Sequence, residues 1–100
     1  MIATVWRFHV HSEAASAFER IYGPHGDWAR LFARAEGYAG TELLRLDGGG
    51  LIYLSIDRWY STADYERAKL DLDAEYAELD LRCEDYTSEE TWLGIHTVLG

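Results

Sequence analysis

Asp57 and Trp59 stand two residues apart near the end of an apolar run that begins at Leu51, with Arg58 between them. In an extended chain, residues two apart share a face, so the carboxylate and the indole point the same way. A carboxylate desolvated beside a ring has its pKa raised and serves as a base toward a bound acid. An Asp in this setting is equally an ion-pair partner for Arg7, Arg45 or Arg58. Trp59 has two readings of the same kind: a packing anchor beneath a helix, or a wall on which a planar ligand stacks. Tyr65 lies one turn into the helix that follows, where its hydroxyl meets a ligand oxygen or its ring simply packs.

The histidines form a second set. His9 and His11 lie two apart at a strand end, and a third ligand such as His96 would complete a metal site. No ligand-spacing motif supports one, so no metal is expected. With an unperturbed pKa near neutrality, His9 alone is a candidate for proton transfer. His25, between Pro24 and Gly26, reads as an exposed loop residue. Trp28, Phe32 and Tyr76 occupy apolar helical stripes and become ligand walls only if the core is hollow. Gly48-Gly49-Gly50 lacks the Lys and Ser/Thr of a phosphate loop and precedes a strand, so it reads as a hairpin turn. Neither a Gly-x-Ser-x-Gly elbow nor a paired-cysteine motif occurs.

The elements that must position these residues follow from periodicity. From Ile2 to Val10 the chain alternates as a strand, with Ile2, Thr4, Trp6, Phe8 and Val10 on one face and Ala3, Val5, Arg7 and His9 on the other. Ser12 is expected to cap a helix whose inward residues are Ala14, Ala15, Phe18, Ile21 and Tyr22. Gly23-Pro24 ends it. Asp27 is expected to cap a second piece carrying Trp28, Leu31, Phe32 and Ala35, with Gly37 at its end. Tyr38 to Leu46 is a strand with a bulge at Gly40. The turn at Asp47–Gly50 joins it to a strand from Leu51 to Tyr60. Ser61, followed three residues later by Asp64, resembles a capping box. The helix it starts runs to about Asp85, with an interruption near Asp71-Leu72-Asp73 where the apolar phase shifts. Thr87 to Glu90 is expected to be a loop and Thr91 to Leu99 the last strand.

The order is strand, broken helix, strand, strand, helix, strand, in one domain spanning residues 1–100. It predicts a ferredoxin-like α+β sandwich: a four-stranded antiparallel sheet, helices on one face, strands one and three central. The third strand has no cleanly polar face, since Ile52, Leu54 and Ile56 alternate with Tyr53, Ser55, Asp57 and Trp59. The face without helices therefore needs a cover, and a homodimer joined through the sheets is expected.

Composition narrows the function classes. The net charge is −9, from 18 acidic and 9 basic residues, and no basic patch is present for a nucleic acid. Aromatic residues make up 14% of the chain, which implies either a tightly filled core or rings left to line a cavity or contact. Cys83, the only cysteine, falls on the stripe of Leu72, Tyr76 and Leu79 and reads as a buried inert thiol. No segment approaches the ~20 apolar residues of a membrane span, and no signal-peptide pattern opens the chain. A cytoplasmic location is expected.

The order of elements and the segment Asp57-Arg-Trp-Tyr-Ser61 resemble the antibiotic biosynthesis monooxygenase domain of the dimeric α+β barrel superfamily. Tyr22–Phe32 and Gly37–Arg45 are similar to an uncharacterised bacterial branch of that group. The resemblance covers nearly the whole chain. It implies a dimeric α+β barrel and a cavity between sheet and helices in each subunit. It also implies a cofactor-independent monooxygenase activity on an aromatic or polycyclic metabolite; a non-catalytic ligand-binding or stress-associated dimer is the alternative. By position, Trp59 matches the strand-end tryptophan that lines the family's cavity, and Ser55 shares its face four residues earlier. The chain contains no asparagine, whereas some relatives place one in the pocket. The position where haem-degrading relatives carry an iron-binding histidine falls near Lys69. The implied site is thus Trp59, Tyr65, Ser55, Trp28, Phe32 and Tyr76 around a ligand, with Asp57 or His9 for the proton and no cofactor.

Overall fold

Four strands, β1 (Ile2–Val10), β2 (Tyr38–Arg45), β3 (Ile52–Trp59) and β4 (Thr87–Thr97), pair antiparallel in the order β2-β3-β1-β4. Four α-helices, α1 (Ala15–Tyr22), α2 (Asp27–Phe32), α3 (Thr62–Asp71) and α4 (Asp73–Cys83), lie over one face of the sheet. This is a computed structural model, and it describes residues Met1–Gly100. The ferredoxin-like α+β order and the central position of the first and third strands are as the sequence predicts. No helix is long and apolar enough to cross a membrane.

Local chemistry sets most boundaries. The Ser61 side chain accepts a hydrogen bond from the Asp64 backbone N–H at 3.1 Å, which starts α3. Leu72 separates α3 from α4, and its buried side chain holds the break against the core. Two expected caps are not made. A short 3₁₀ turn, Ser12–Ala14, precedes α1, and Ser12 Oγ donates to Glu13 rather than to the backbone. Gly26 occupies the cap position of α2, while Asp27 sits in the first turn and accepts from Arg30 at 3.0 Å. The last strand also starts earlier than expected. Thr87, Glu89 and Glu90 pair with Val10, His9 and Phe8, because backbone ladder bonds form on an edge strand whatever its side chains.

The bulge expected in β2 has a consequence for the sheet's inner face. Gly40 adopts φ +123, open to glycine and strained for other residues, and the register slips between Tyr38 and Gly40. Tyr38 pairs with Trp59 and Thr41 with Asp57. Directly paired residues share a face, so Tyr38 and Thr41 both point inward although they are three positions apart. Without the extra residue, Thr41 would face out.

The core consists of two aromatic clusters standing on β3. At one end Tyr53 meets Phe18 at 4.9 Å between ring centroids, and Phe18 stacks on Tyr22 at 4.1 Å. At the other end Trp59, 0% exposed, meets Phe32 at 5.5 Å, Tyr38 at 5.4 Å and Tyr65 at 5.7 Å. Trp28 bridges the clusters, 6.0 Å from Tyr22 and 5.8 Å from Phe32. Between them β3 presents only Ser55 and Asp57, whose side chains are too short to fill the same height.

Trp59 holds up one end of this arrangement, yet its Nε1–H is buried without an acceptor. Trp59→Ala is therefore expected to lower folding stability by about 3–5 kcal/mol. Trp59→Phe keeps a ring and removes a donor whose burial costs about 1–3 kcal/mol, so its loss should be clearly smaller. Urea denaturation of the two variants checks this, and equal losses would contradict it.

Candidate functional site

A cavity of about 130 Å³ lies between the two aromatic clusters. Its floor is Ser55 and Asp57 of β3, Thr41 of β2, and Trp6 and Phe8 of β1. Tyr22, Trp28, Phe32 and Tyr76 close it from the helical side. Asp80 of α4 and Glu90 of β4, both exposed, stand at its mouth.

Asp57 is the polar centre. Only 8% of it is exposed, and Thr41 Oγ1 donates to its Oδ1 at 2.5 Å. Tyr38 Oη lies 2.5 Å from Thr41 Oγ1 and donates to it, since the threonine proton is engaged with Asp57. Burial drives the Asp57 carboxyl up to about 6, against the opposing pull of the Thr41 hydrogen bond. No arginine relieves it. Arg58 points to the other face and pairs with Glu42 at 2.6 Å, and Arg45 reaches Glu19 at 3.8 Å. The ion-pair alternative for Asp57 is not realised. Tyr76 is pushed up to about 12, first by burial and then by nearby carboxylates, Asp80 foremost, so its hydroxyl stays protonated.

Of the residues singled out in the sequence, the fold brings Asp57, Ser55, Trp28, Phe32 and Tyr76 to this cavity. Trp59 and Tyr65 do not line it. Trp59 is enclosed by Phe32, Tyr38 and Tyr65, so it supports the space from one side instead of facing it. His9 is placed on the opposite face of the sheet, paired with Ile52 and beside Arg7, Leu44 and Leu54, because it alternates with the inward Phe8 and Val10. It cannot exchange a proton with a ligand in the cavity. No group of three His, Cys, Asp or Glu side chains is arranged to hold a metal ion. Cys83 is buried, and burial raises its thiol pKa.

The sequence reasoning missed Trp6, Phe8, Tyr22, Thr41, Asp80 and Glu90 as lining residues. Two signals were present. The Gly40 bulge reverses the parity of Thr41, and Asp80 stands one turn beyond Tyr76. Glu90 was hidden by the loop expected there.

The pH dependence of folding follows from Asp57. Its folded pKa, about 6, lies above the usual 3.8, so the native state holds a proton that the unfolded chain has released. Stability contributed by this group is full below the unfolded pKa and is lost as pH rises through the window up to the folded pKa, by about 3 kcal/mol. Asp57→Asn should remove that slope and be more stable than the parent at alkaline pH. Denaturation of both proteins across this range reads the difference, and parallel curves would contradict it.

No family model and no curated protein matches the sequence. Solved structures do. SnoaB from Streptomyces nogalater, a cofactor-independent oxygenase, aligns with a TM-score of 0.72 and 26% identity over 99% of this chain and 93% of its own. A Bordetella bronchiseptica protein provisionally assigned as an antibiotic biosynthesis monooxygenase aligns at 0.77 with 19% identity, covering 98% and 96%. MhuD, solved in a variant form with two manganese protoporphyrin IX bound per active site, aligns at 0.71 with 18% identity, covering 99% and 95%. The four strands and the helical layer described above are thus laid out along the whole chain as in these proteins: the chain has the antibiotic biosynthesis monooxygenase fold.

Proposed function

We propose that this chain binds a single-ring phenolic metabolite in the cavity and oxidises it with dioxygen without a cofactor, Asp57 taking the phenolic proton. The observation that carries the reading is a buried carboxylate, poised near neutral pH, facing an aromatic-lined space. A base is most effective when its pKa lies near the working pH. Transfer of the phenol proton to Asp57 leaves an electron-rich phenolate, which supplies an electron to dioxygen. The protein's part is to hold the ring, take the proton and exclude water. SnoaB, which shares the fold at 26% identity, is a cofactor-independent oxygenase.

Size sets the substrate class. A cavity of roughly 150 Å³ admits benzene, and drug-sized ligands need roughly 300 Å³ or more. At about 130 Å³ the present space suits one ring, so a polycyclic substrate is not proposed. A porphyrin does not fit either. It is several times larger, no histidine or cysteine lines the space, and its propionates would face Asp57, Asp80 and Glu90. Lys69, near where the family resemblance puts a haem-binding histidine, lays its ammonium 4.4 Å from the Tyr76 ring centroid.

A second reading, a binding protein without turnover, is favoured by one feature: no Arg, Lys or His lines the cavity to stabilise an anion. Oxygen uptake separates the two. With hydroquinones and aminophenols, uptake is expected without added flavin or metal and should fall at least about tenfold in Asp57→Asn. Ser55→Leu, which fills the space from the floor, should abolish ligand binding while the fold persists. Binding without uptake would leave only the second reading, and undiminished binding in Ser55→Leu would remove the site.

We also propose a homodimer through the face without helices, in a reducing cytoplasm. Support for the dimer is the apolar strip of Val5, Ile52, Leu54, Ile56 and Leu44, brought together by strand register and flanked by Arg7 and Arg58, whose Nε atoms are buried without partners. Support for the location is the unpaired Cys83. Leu54→Glu is expected to halve the mass measured by light scattering. A parent protein that is already monomeric would contradict the dimer.

A further inference from the structure

Every charged side chain that lines the cavity is acidic. Asp57 lies on its floor, Asp80 and Glu90 stand at its mouth, and no cationic side chain is among the lining residues. Asp80 comes from α4 and Glu90 from β4, so the two carboxylates reach the opening from different elements instead of lying along one helix. The walls reached through that opening include the rings of Trp6, Trp28 and Tyr76. Ring faces attract cations, and more strongly where water is excluded. The Tyr76 ring already draws a cation of the protein outside the cavity: the Lys69 ammonium lies 4.4 Å from its centroid and 5.9 Å from that of Tyr65.

We infer that the ligand is an aromatic amine, its ring within the cavity and its protonated amine at the mouth between Asp80 and Glu90. This rests on the reading that the cavity receives a single ring. Desolvation at the mouth and the charge of Asp80 hold the Glu90 carboxyl above its ordinary range, a crowding of like charge that a ligand cation relieves. The same charge answers a difficulty in the chemistry. A phenol that gives its proton to Asp57 becomes an anion near two carboxylates with no protein cation lining the space. An ammonium on the same molecule offsets that anion. Organic acids and phosphorylated ligands are disfavoured by the same field.

Three para-substituted phenols of similar length isolate the charge: tyramine, para-propylphenol and para-hydroxyphenylacetate. Titration calorimetry at neutral pH and low ionic strength is expected to rank them in that order, tyramine tighter than para-propylphenol by about tenfold. In the double variant Asp80→Asn, Glu90→Gln the preference should shrink to within about threefold, chiefly through weaker tyramine binding, since the two substitutions remove charge at the mouth. Added salt should weaken tyramine alone. Equal affinity for tyramine and para-propylphenol would overturn the amine while leaving the cavity as a ring site. A preference that survives the double variant would overturn the role of the mouth carboxylates. Failure of all three to bind would overturn the cavity reading and the amine with it.

Discussion

The structure depends on the order of side-chain heights along the inner face of β3: Tyr53, Ser55, Asp57, Trp59. Two large rings at the ends hold the helical layer off the sheet, and two short polar side chains in the middle cannot reach it. Interiors close to crystal-like density wherever side chains permit. Here the Phe18–Tyr22 stack at one end and the Phe32, Tyr38 and Tyr65 rings at the other are already packed against their pillars. The gap over Ser55 and Asp57 persists because the rings that border it are committed elsewhere. Trp28, touching both clusters, spans it as a lintel.

Placing Asp57 in that gap is unfavourable for folding, since a carboxylate loses water there and gains one hydroxyl donor. A threonine that faces it only because Gly40 inserts a bulge indicates how specifically the site is built. Bulges that re-aim a side chain beside a site recur across sheets. The Tyr38–Thr41–Asp57 chain fixes the direction of one carboxylate oxygen and leaves the other free of any protein hydrogen bond in the structure. The cost in stability and the availability of a proton acceptor are the same physical fact, the pKa raised by burial.

Much of the fold was legible because it rests on local periodicity. Alternation in β1 and β3, the Ser61–Asp64 cap and the phase shift at Leu72 each reflect interactions within a few residues. The site was legible only in part. Strand parity correctly put Ser55 and Asp57 on the helical face, and helical stripes correctly put Trp28, Phe32 and Tyr76 above it. Whether a ring faces a space or supports it depends on side-chain packing across three elements, which no periodicity encodes. Trp59 and Tyr65 were misplaced for that reason. His9 was assigned a role by its residue type although its parity already put it on the other face, away from the inward Asp57. Glu90 was concealed because a polar edge strand looks like a loop.

One claim underlies the rest, that the space between the two aromatic pillars is open to a single ring. A high-resolution crystal structure of the protein soaked with phenol tests it most directly. The account predicts ring density between Ser55 and Tyr76, with the phenol oxygen within hydrogen-bonding distance of Asp57. Density showing Tyr76 or Trp28 collapsed onto Ser55, with phenol absent or bound only at the surface, would contradict it.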